Sequence, residues 1–193
     1  MLKNAKHDTT RCNILNQLIE TENDDKVWSV YNEQLITLSQ KCVFIAATPN
    51  LKKFYLRHLA DALNNKGFLT GQQGDIHKAL EFYQKSLKIK EEILDKKGIA
   101  SSLINIGFIY QNQGDILKAL EFYHKSLKIQ EEIKDKEGIA TSLNNIGFIY
   151  KSQGDIPKAL ESYHKSLKIM EEISDKEGIG YSFNNIGVIY NIQ

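Results

Sequence analysis

The chain has 193 residues, 41% of them hydrophobic, and its 25 lysines and arginines nearly balance its 24 aspartates and glutamates. A chain so close to neutral carries no broad basic field to neutralise phosphates, so nucleic acid is not an expected partner. The opening segment MLKNAKHDTTRC lacks the apolar run of a signal peptide, and no stretch approaches the ~18 apolar residues of a membrane span. A cytoplasmic location is the expectation, and a periplasmic one requires a signal peptide ahead of Met1.

Residues 1–48 show helical spacing in two segments, Cys12, Leu15 and Ile19, then Trp28, Tyr31, Leu35 and Leu38. They read as a degenerate helical hairpin that caps the rest of the chain, with Asp8 and Asp24 or Asp25 as helix starts. The only cysteines, Cys12 and Cys42, form no CxxC pair and have no histidine at metal-ligand spacing. Both read as small buried or half-buried apolar residues. An apolar loop over 43–48 is expected to close at Pro49, where a helix begins that runs through Leu63 and Phe68.

From there the chain repeats. The string Gly-Asp-Ile recurs at Gly74, Gly114 and Gly154, a period of 40 residues, and residues 101–140 and 141–180 are identical at 31 of 40 positions. The units predicted are 49–98 with an extended first helix, 99–138, 139–178, and 179–193 as the first helix of a truncated fourth. Each unit holds two apolar patterns of helical period separated by a short polar break. The first, ATSLNNIGFIYKSQ in the third unit, places Leu143, Ile146 and Tyr150 on one stripe, with Gly147 leaving room for another backbone. The second starts after Gly154 with Asp155 as its cap and carries Ala159, Tyr163 and Ile169 inward. Pro157 fits the first turn of that helix, where a missing amide hydrogen costs little. Glu81 with Lys85, Glu121 with Lys125 and Glu161 with Lys165 are set four apart for ion pairs on its solvated face.

The last unit supplies Phe183, Ile186, Gly187 and Tyr190 and stops at Gln193 without a second helix. Such a half unit exposes an apolar stripe, so the expectation is a fragment of a longer protein or an end that another molecule covers, including self-association through the open half repeat.

These residues resemble the tetratricopeptide repeat family. The family's pattern is met by Leu103, Ile106-Gly107, Tyr110, Gly114, Ala119 and Tyr123, and again by Leu143, Ile146-Gly147, Tyr150, Gly154, Ala159 and Tyr163. The chain departs from it in its 40-residue period, against the commoner 34, in Glu131 and Glu171 at the closing proline, and in Ser126 and Ser166 at the late alanine. A longer second helix is expected as a result. In the first unit Lys66 replaces the buried isoleucine and Thr70 the tyrosine, which predicts looser packing there. The resemblance implies an all-α fold, a right-handed superhelical solenoid of antiparallel helix hairpins. It implies a non-catalytic scaffold that binds a protein or peptide in a concave groove lined by the first helices. Long repeats of this kind look like those of kinesin light chains and of bacterial sensor kinases and cyclases, and DKEGIATSLNNIGFIY most resembles the bacterial group. The alternative reading is therefore an N-terminal sensory or regulatory segment of a longer signalling protein.

Carried onto this sequence, the groove positions form an asparagine ladder, Asn65, Asn105, Asn145 and Asn185, preceded by Asn64, Asn144 and Asn184. A carboxamide both donates and accepts, so a row of them suits the backbone of an extended peptide. The bland reading is that asparagine is merely common there. Phe68, Phe108 and Phe148 recur one turn on, with Val188 last. They pack between repeats or line the groove, with packing favoured, and Phe108 and Phe148 join the asparagines as binding candidates. The lysine–asparagine clamp by which some family members hold an acidic chaperone tail is absent, its positions being Asn64, Ile104 or Asn144, and Phe68 or Phe108.

Catalytic signatures are missing: the chain has no GxxxxGK[ST], HExxH, GxSxG or GxGxxG. No catalytic residue, metal ligand or cofactor is predicted. His124 and His164 repeat on the outward part of the second helices and read as duplicated surface residues.

Overall fold

The computed structural model describes residues 7–192, so residues 1–6 of the expected cap and Gln193 of the last unit lie outside the described residues. Among the described residues there are nine α-helices and no strand, the all-α class the sequence implies. The chain divides into two compact units, Met1–Asp95 and Lys96–Gln193.

The first unit holds α1 (Asp8–Thr21), α2 (Asp25–Ile45), α3 (Pro49–Gln72) and α4 (Ile76–Glu92). Its helix starts follow capping chemistry: Asp24 accepts hydrogen bonds from the Lys26 and Val27 amides, and Thr48 accepts one from the Leu51 amide, with Pro49 opening the helix. Residues 43–45 are helical rather than part of a loop. No breaker precedes the Thr48-Pro49 pair, so α2 continues to Ile45 even though Phe44 and Ile45 are exposed. Cys12, Leu15 and Ile19 of α1 meet Leu35, Ile36 and Cys42 of α2 and Tyr55, Leu59 and Leu63 of α3 in one core. Burial pushes the Cys12 thiol up to about 11. Lys66 escapes the core by pairing with Glu33 at 2.6 Å and laying its ammonium 5.0 Å from the Phe82 ring centre.

The second unit holds α5 (Lys96–Asn112), α6 (Ile116–Ile133), α7 (Lys136–Ser152), α8 (Ile156–Glu172) and α9 (Lys176–Ile192). Asp115 and Asp155 cap α6 and α8 by accepting from the Lys118 and Lys158 amides. Hydrogen bonding to Lys118 and Lys158 holds both carboxyls below the usual carboxylate range. The first helices begin earlier than expected, α7 at Lys136 rather than near Ala140, because Asp135 caps it by accepting from the Gly138 amide. The extra length of the period is shared between the helices instead of lengthening the second alone, since α7 and α8 both have 17 residues. Gly114 and Gly154 take φ of 75° and 77° between the helices of a hairpin, a left-handed turn that suits glycine.

Packing within each hairpin rests on a ring over a glycine. A Cβ on Gly147 would come 2.8 Å from Cε1 of the buried Tyr163, and one on Gly107 would come 2.7 Å from Cε1 of Tyr123. The room foreseen at Gly147 for a backbone is filled by this ring. Tyr123 donates to Gln111 Oε1 at 2.8 Å, whereas Lys151 stands where Gln111 has its counterpart and the Tyr163 hydroxyl is buried without a partner. Serine replaces the family's late alanine for a visible reason. The buried hydroxyls of Ser86, Ser126 and Ser166 donate to the carbonyls of Ala60, Ala100 and Ala140 at 2.7, 2.9 and 3.0 Å, tying each second helix to the first. Of the residues expected inward, Ile146, Ala159 and Tyr163 are buried, while Leu143, Tyr150 and Ile169 are only half-buried and Met170 is buried in place of Ile169. The expected ion pairs form at Glu121–Lys125 and Glu161–Lys165, each 2.6 Å, whereas Lys85 instead lies over the Phe82 ring at 5.5 Å.

Candidate binding groove

Within the second unit the first helices α5, α7 and α9 lie side by side and enclose a groove of about 680 Å³. Five sequence candidates line it together: Phe108 from α5, Asn144, Asn145 and Phe148 from α7, and Asn185 from α9. Helical geometry explains the grouping, because residues 141, 144, 145 and 148 fall on one face at steps of three and four. Asn105 lines a smaller neighbouring hollow with Ile104, Ser101 and Thr141. Asn184 is exposed beside Tyr181 in a shallow depression of α9.

Asn64 and Asn65 belong to α3 of the first unit. There the Asn65 amide donates to Oδ1 of the buried Asn32 at 3.4 Å, and Asn32 in turn donates to the Ala62 carbonyl at 2.9 Å. This carboxamide serves the packing of α2 on α3.

The phenylalanines are not wedged between repeats, contrary to the favoured expectation. Phe68, Phe108 and Phe148 are 53%, 52% and 43% exposed. The position beside them, held by Gly67, Gly107 and Gly147, takes the buried contact instead. Val188 is half-buried.

Three carboxylates also line the groove, Glu137, Asp175 and Glu177, and among the described residues no lysine or arginine does. Asp175 is partly engaged, accepting from the Glu177 and Gly178 amides at the start of α9. Lys151 stands just outside with its ammonium 5.2 Å from the Phe148 ring centre. The same contact recurs at Lys118 over Tyr110, 5.0 Å, and Lys158 over Tyr150, 5.3 Å. Oδ1 of Asn144 is buried without a hydrogen-bond partner. The surface thus offers exposed aromatic faces, carboxamides and net negative charge.

Thr141, Tyr181, Glu137 and Met170 line the groove without having been singled out in the sequence. Thr141 and Tyr181 precede Asn145 and Asn185 by four residues, so extending the ladder by one helical turn was the available signal. His124 and His164 are exposed on α6 and α8. Burial lowers the pKa of His58, whose ring meets Phe54 edge-on at 4.5 Å. Among the described residues no three His, Cys, Asp or Glu side chains converge to hold a metal ion, and no helix is long and apolar enough to cross a membrane.

The family model described as tetratricopeptide repeat matches residues 58–132, 98–172 and 138–193. No curated protein matches the chain. Among solved structures it is similar to BtubC from P. vanneervenii, with 19% identity and a TM-score of 0.70 over 95% of this chain and 73% of that one. It is similar to aspartyl phosphate phosphatase F from Bacillus subtilis, with 15% identity and a TM-score of 0.79 over 92% of this chain and 45% of that one. A Rap protein complexed with competence and sporulation factor gives 17% identity and a TM-score of 0.74 over 94% of this chain and 48% of that one. The chain spans less than half the length of the last two, and at these identities the likeness is one of fold.

Proposed function

Because the chain belongs to the tetratricopeptide repeat family, we propose that it is a non-catalytic protein-interaction scaffold whose second unit holds a segment of a partner in the groove of α5, α7 and α9. The observation that carries this reading is the pair of exposed rings, Phe108 and Phe148, lining one groove with Asn144, Asn145 and Asn185. Apolar surface held out of a core and interleaved with carboxamides suits a polypeptide, whose side chains meet the rings while its amides and carbonyls meet asparagine. Glu137, Asp175 and Glu177 favour a segment carrying lysine or arginine. An incoming cation competes with Lys151 for the face of Phe148, a contact of about 0.5–1 kcal/mol at an exposed site. The Rap protein complexed with competence and sporulation factor supports partner binding as a use of this fold.

The test is peptide display selected on the purified chain, followed by titration of the enriched peptides against Asn145→Ala and Phe148→Ala. Basic peptides whose affinity falls at least tenfold in both variants, and weakens as salt rises, are the expected result. Enriched peptides that bind both variants as well as the original chain would refute the groove.

A further inference from the structure

Granted a partner segment in the groove of α5, α7 and α9, we propose that the groove is polar along its length and fixes the direction of what it holds. The occupant is an extended segment of about six residues, with a cationic side chain at one end beside Glu137 and Glu177 and a carboxylate at the other on Lys151. Glu137 and Glu177 are exposed in the first turns of α7 and α9 and line the groove. The neighbouring cation Lys136 is drawn off to Glu172 at 2.9 Å. Near its opposite end the groove is lined by Gln111 of α5, and Lys151 holds the same register on α7. Glu137 and Lys151 stand fourteen residues apart on nearly one face of the helix, about 21 Å, a span that about six extended residues cover.

The packing of its own hairpin does not account for Lys151. Gln111 accepts from the Tyr123 hydroxyl at 2.8 Å, whereas with lysine at the matching position the buried Tyr163 hydroxyl has no partner. The exchange forfeits a hydrogen bond that the neighbouring copy makes. Among the described residues the Lys151 ammonium gains no ion pair in return, and it rests 5.2 Å from the Phe148 ring centre, a contact open to displacement. Nor does the helix dipole demand this order of charges, since α5 carries Lys97 in place of Glu137 and Gln111 in place of Lys151. The two exchanges together give α7 a polarity that α5 lacks. A carboxylate reaching Lys151 draws its ammonium off the ring and leaves the Phe148 face to a side chain of the segment. Asn144 and Asn145 line the groove between the charged ends. Their carboxamides donate and accept alike and so serve a backbone running either way, which leaves the charges to set the direction.

The experiment presents the full chain with capped hexapeptide pools whose middle residues vary among neutral amino acids. The pools carry arginine first and glutamate last, arginine first and glutamine last, glutamine first and glutamate last, or glutamine at both ends. Captured members are identified by mass spectrometry, resynthesised, and titrated against the chain, Lys151→Gln, Glu137→Gln/Glu177→Gln and Phe148→Ala. Members with both charges are expected to bind at least about threefold tighter than the same sequence with glutamine last. Lys151→Gln should abolish that gain and keep the one from arginine, and the double variant should do the reverse. Lys151→Gln offers Tyr163 the partner that Gln111 gives Tyr123, so its melting temperature should not fall and lost binding cannot be ascribed to unfolding. Binders that Phe148→Ala weakens but that are indifferent to the terminal glutamate, or to Lys151→Gln, would overturn the direction and leave the groove standing. Absence of any binder that depends on Phe148 would overturn both.

Discussion

Replacing Gly147 and Gly187 by alanine, one at a time, separates packing from helix propensity. Both glycines sit at the same register of a first helix, so the propensity gain of about 0.8–1 kcal/mol for alanine over glycine applies to each and cancels in the comparison. What differs is the neighbour. At Gly147 the new methyl would lie 2.8 and 2.9 Å from Cε1 and Cδ1 of Tyr163 and 3.2 Å from Cβ of Ser162, well inside the ~3.5–4.0 Å at which carbon atoms attract. Tyr163 is fully buried and has no room to yield, so overpacking costs about 1–3 kcal/mol. At Gly187 the methyl enters open space. Gly187→Ala is therefore expected to stabilise its helix by about 1 kcal/mol, while Gly147→Ala is neutral or destabilises by up to about 2. Urea titration followed by circular dichroism gives the global difference, and hydrogen exchange of the α7 and α9 amides gives the local one, which matters because a repeat array need not unfold in one step. Two variants equal within about 0.5 kcal/mol would refute the argument that tyrosine rings rest on these glycines.

Lys134 ends α6 in the left-handed region at φ 58°, where a side chain is strained. Lys134→Gly is expected to raise stability by about 0.5–1 kcal/mol in the same titration, and a loss would deny that strain. Ser126→Ala removes the hydroxyl bonded to the Ala100 carbonyl and should cost about 0.5–1.5 kcal/mol, a neutral result meaning that the bond contributes nothing. Cys12 is buried with its thiol raised to about 11, the neutral form being favoured, so at pH 8 a thiol reagent should label it only as fast as α1 opens. Immediate labelling of the native chain, measured by mass spectrometry, would contradict that burial.

The 40-residue spacing of Gly74, Gly114 and Gly154 made the helix hairpins legible, because each placement was tested by its copies. Aspartate after the turn glycine marked the second helices for the same reason. The starts of the first helices lie ahead of the apolar stripe by which the sequence was read: Asp135 and Asp175 cap a first turn that holds Gly138 or Gly178, residues of low helix propensity. The candidate groove was partly legible. Asn144, Asn145 and Asn185 share it, but spacing alone did not tell Asn65 apart, whose partner Asn32 lies 33 residues away in a segment outside the repeat. The side of the phenylalanines was illegible for a different reason. Phe148 and Ile149 are adjacent and equally apolar, and only the packing of α7 against α6, where Ile149 joins Ala119 and Tyr123, decides that Ile149 is buried and Phe148 is not.

Two near-copies of one unit should present the same surface at every step, and a uniform groove would let a bound segment slide from one register to the next. The copies differ where that matters. Residues 101–140 and 141–180 keep the capping aspartates, the turn glycines, the ring tyrosines and the serine staples unchanged. Of the nine positions that do change, four involve a residue that lines the main groove: Ser101 against Thr141, Ile104 against Asn144, Gln111 against Lys151, and Gln130 against Met170. The first of these series continues to Tyr181, so hydroxyl side chains of increasing size face the groove from α7 to α9. Packing residues repeat because each hairpin must bury the same contacts. Part of the groove lining diverges while Phe108 and Phe148 repeat, and on the proposed reading that divergence gives a bound segment one register instead of several.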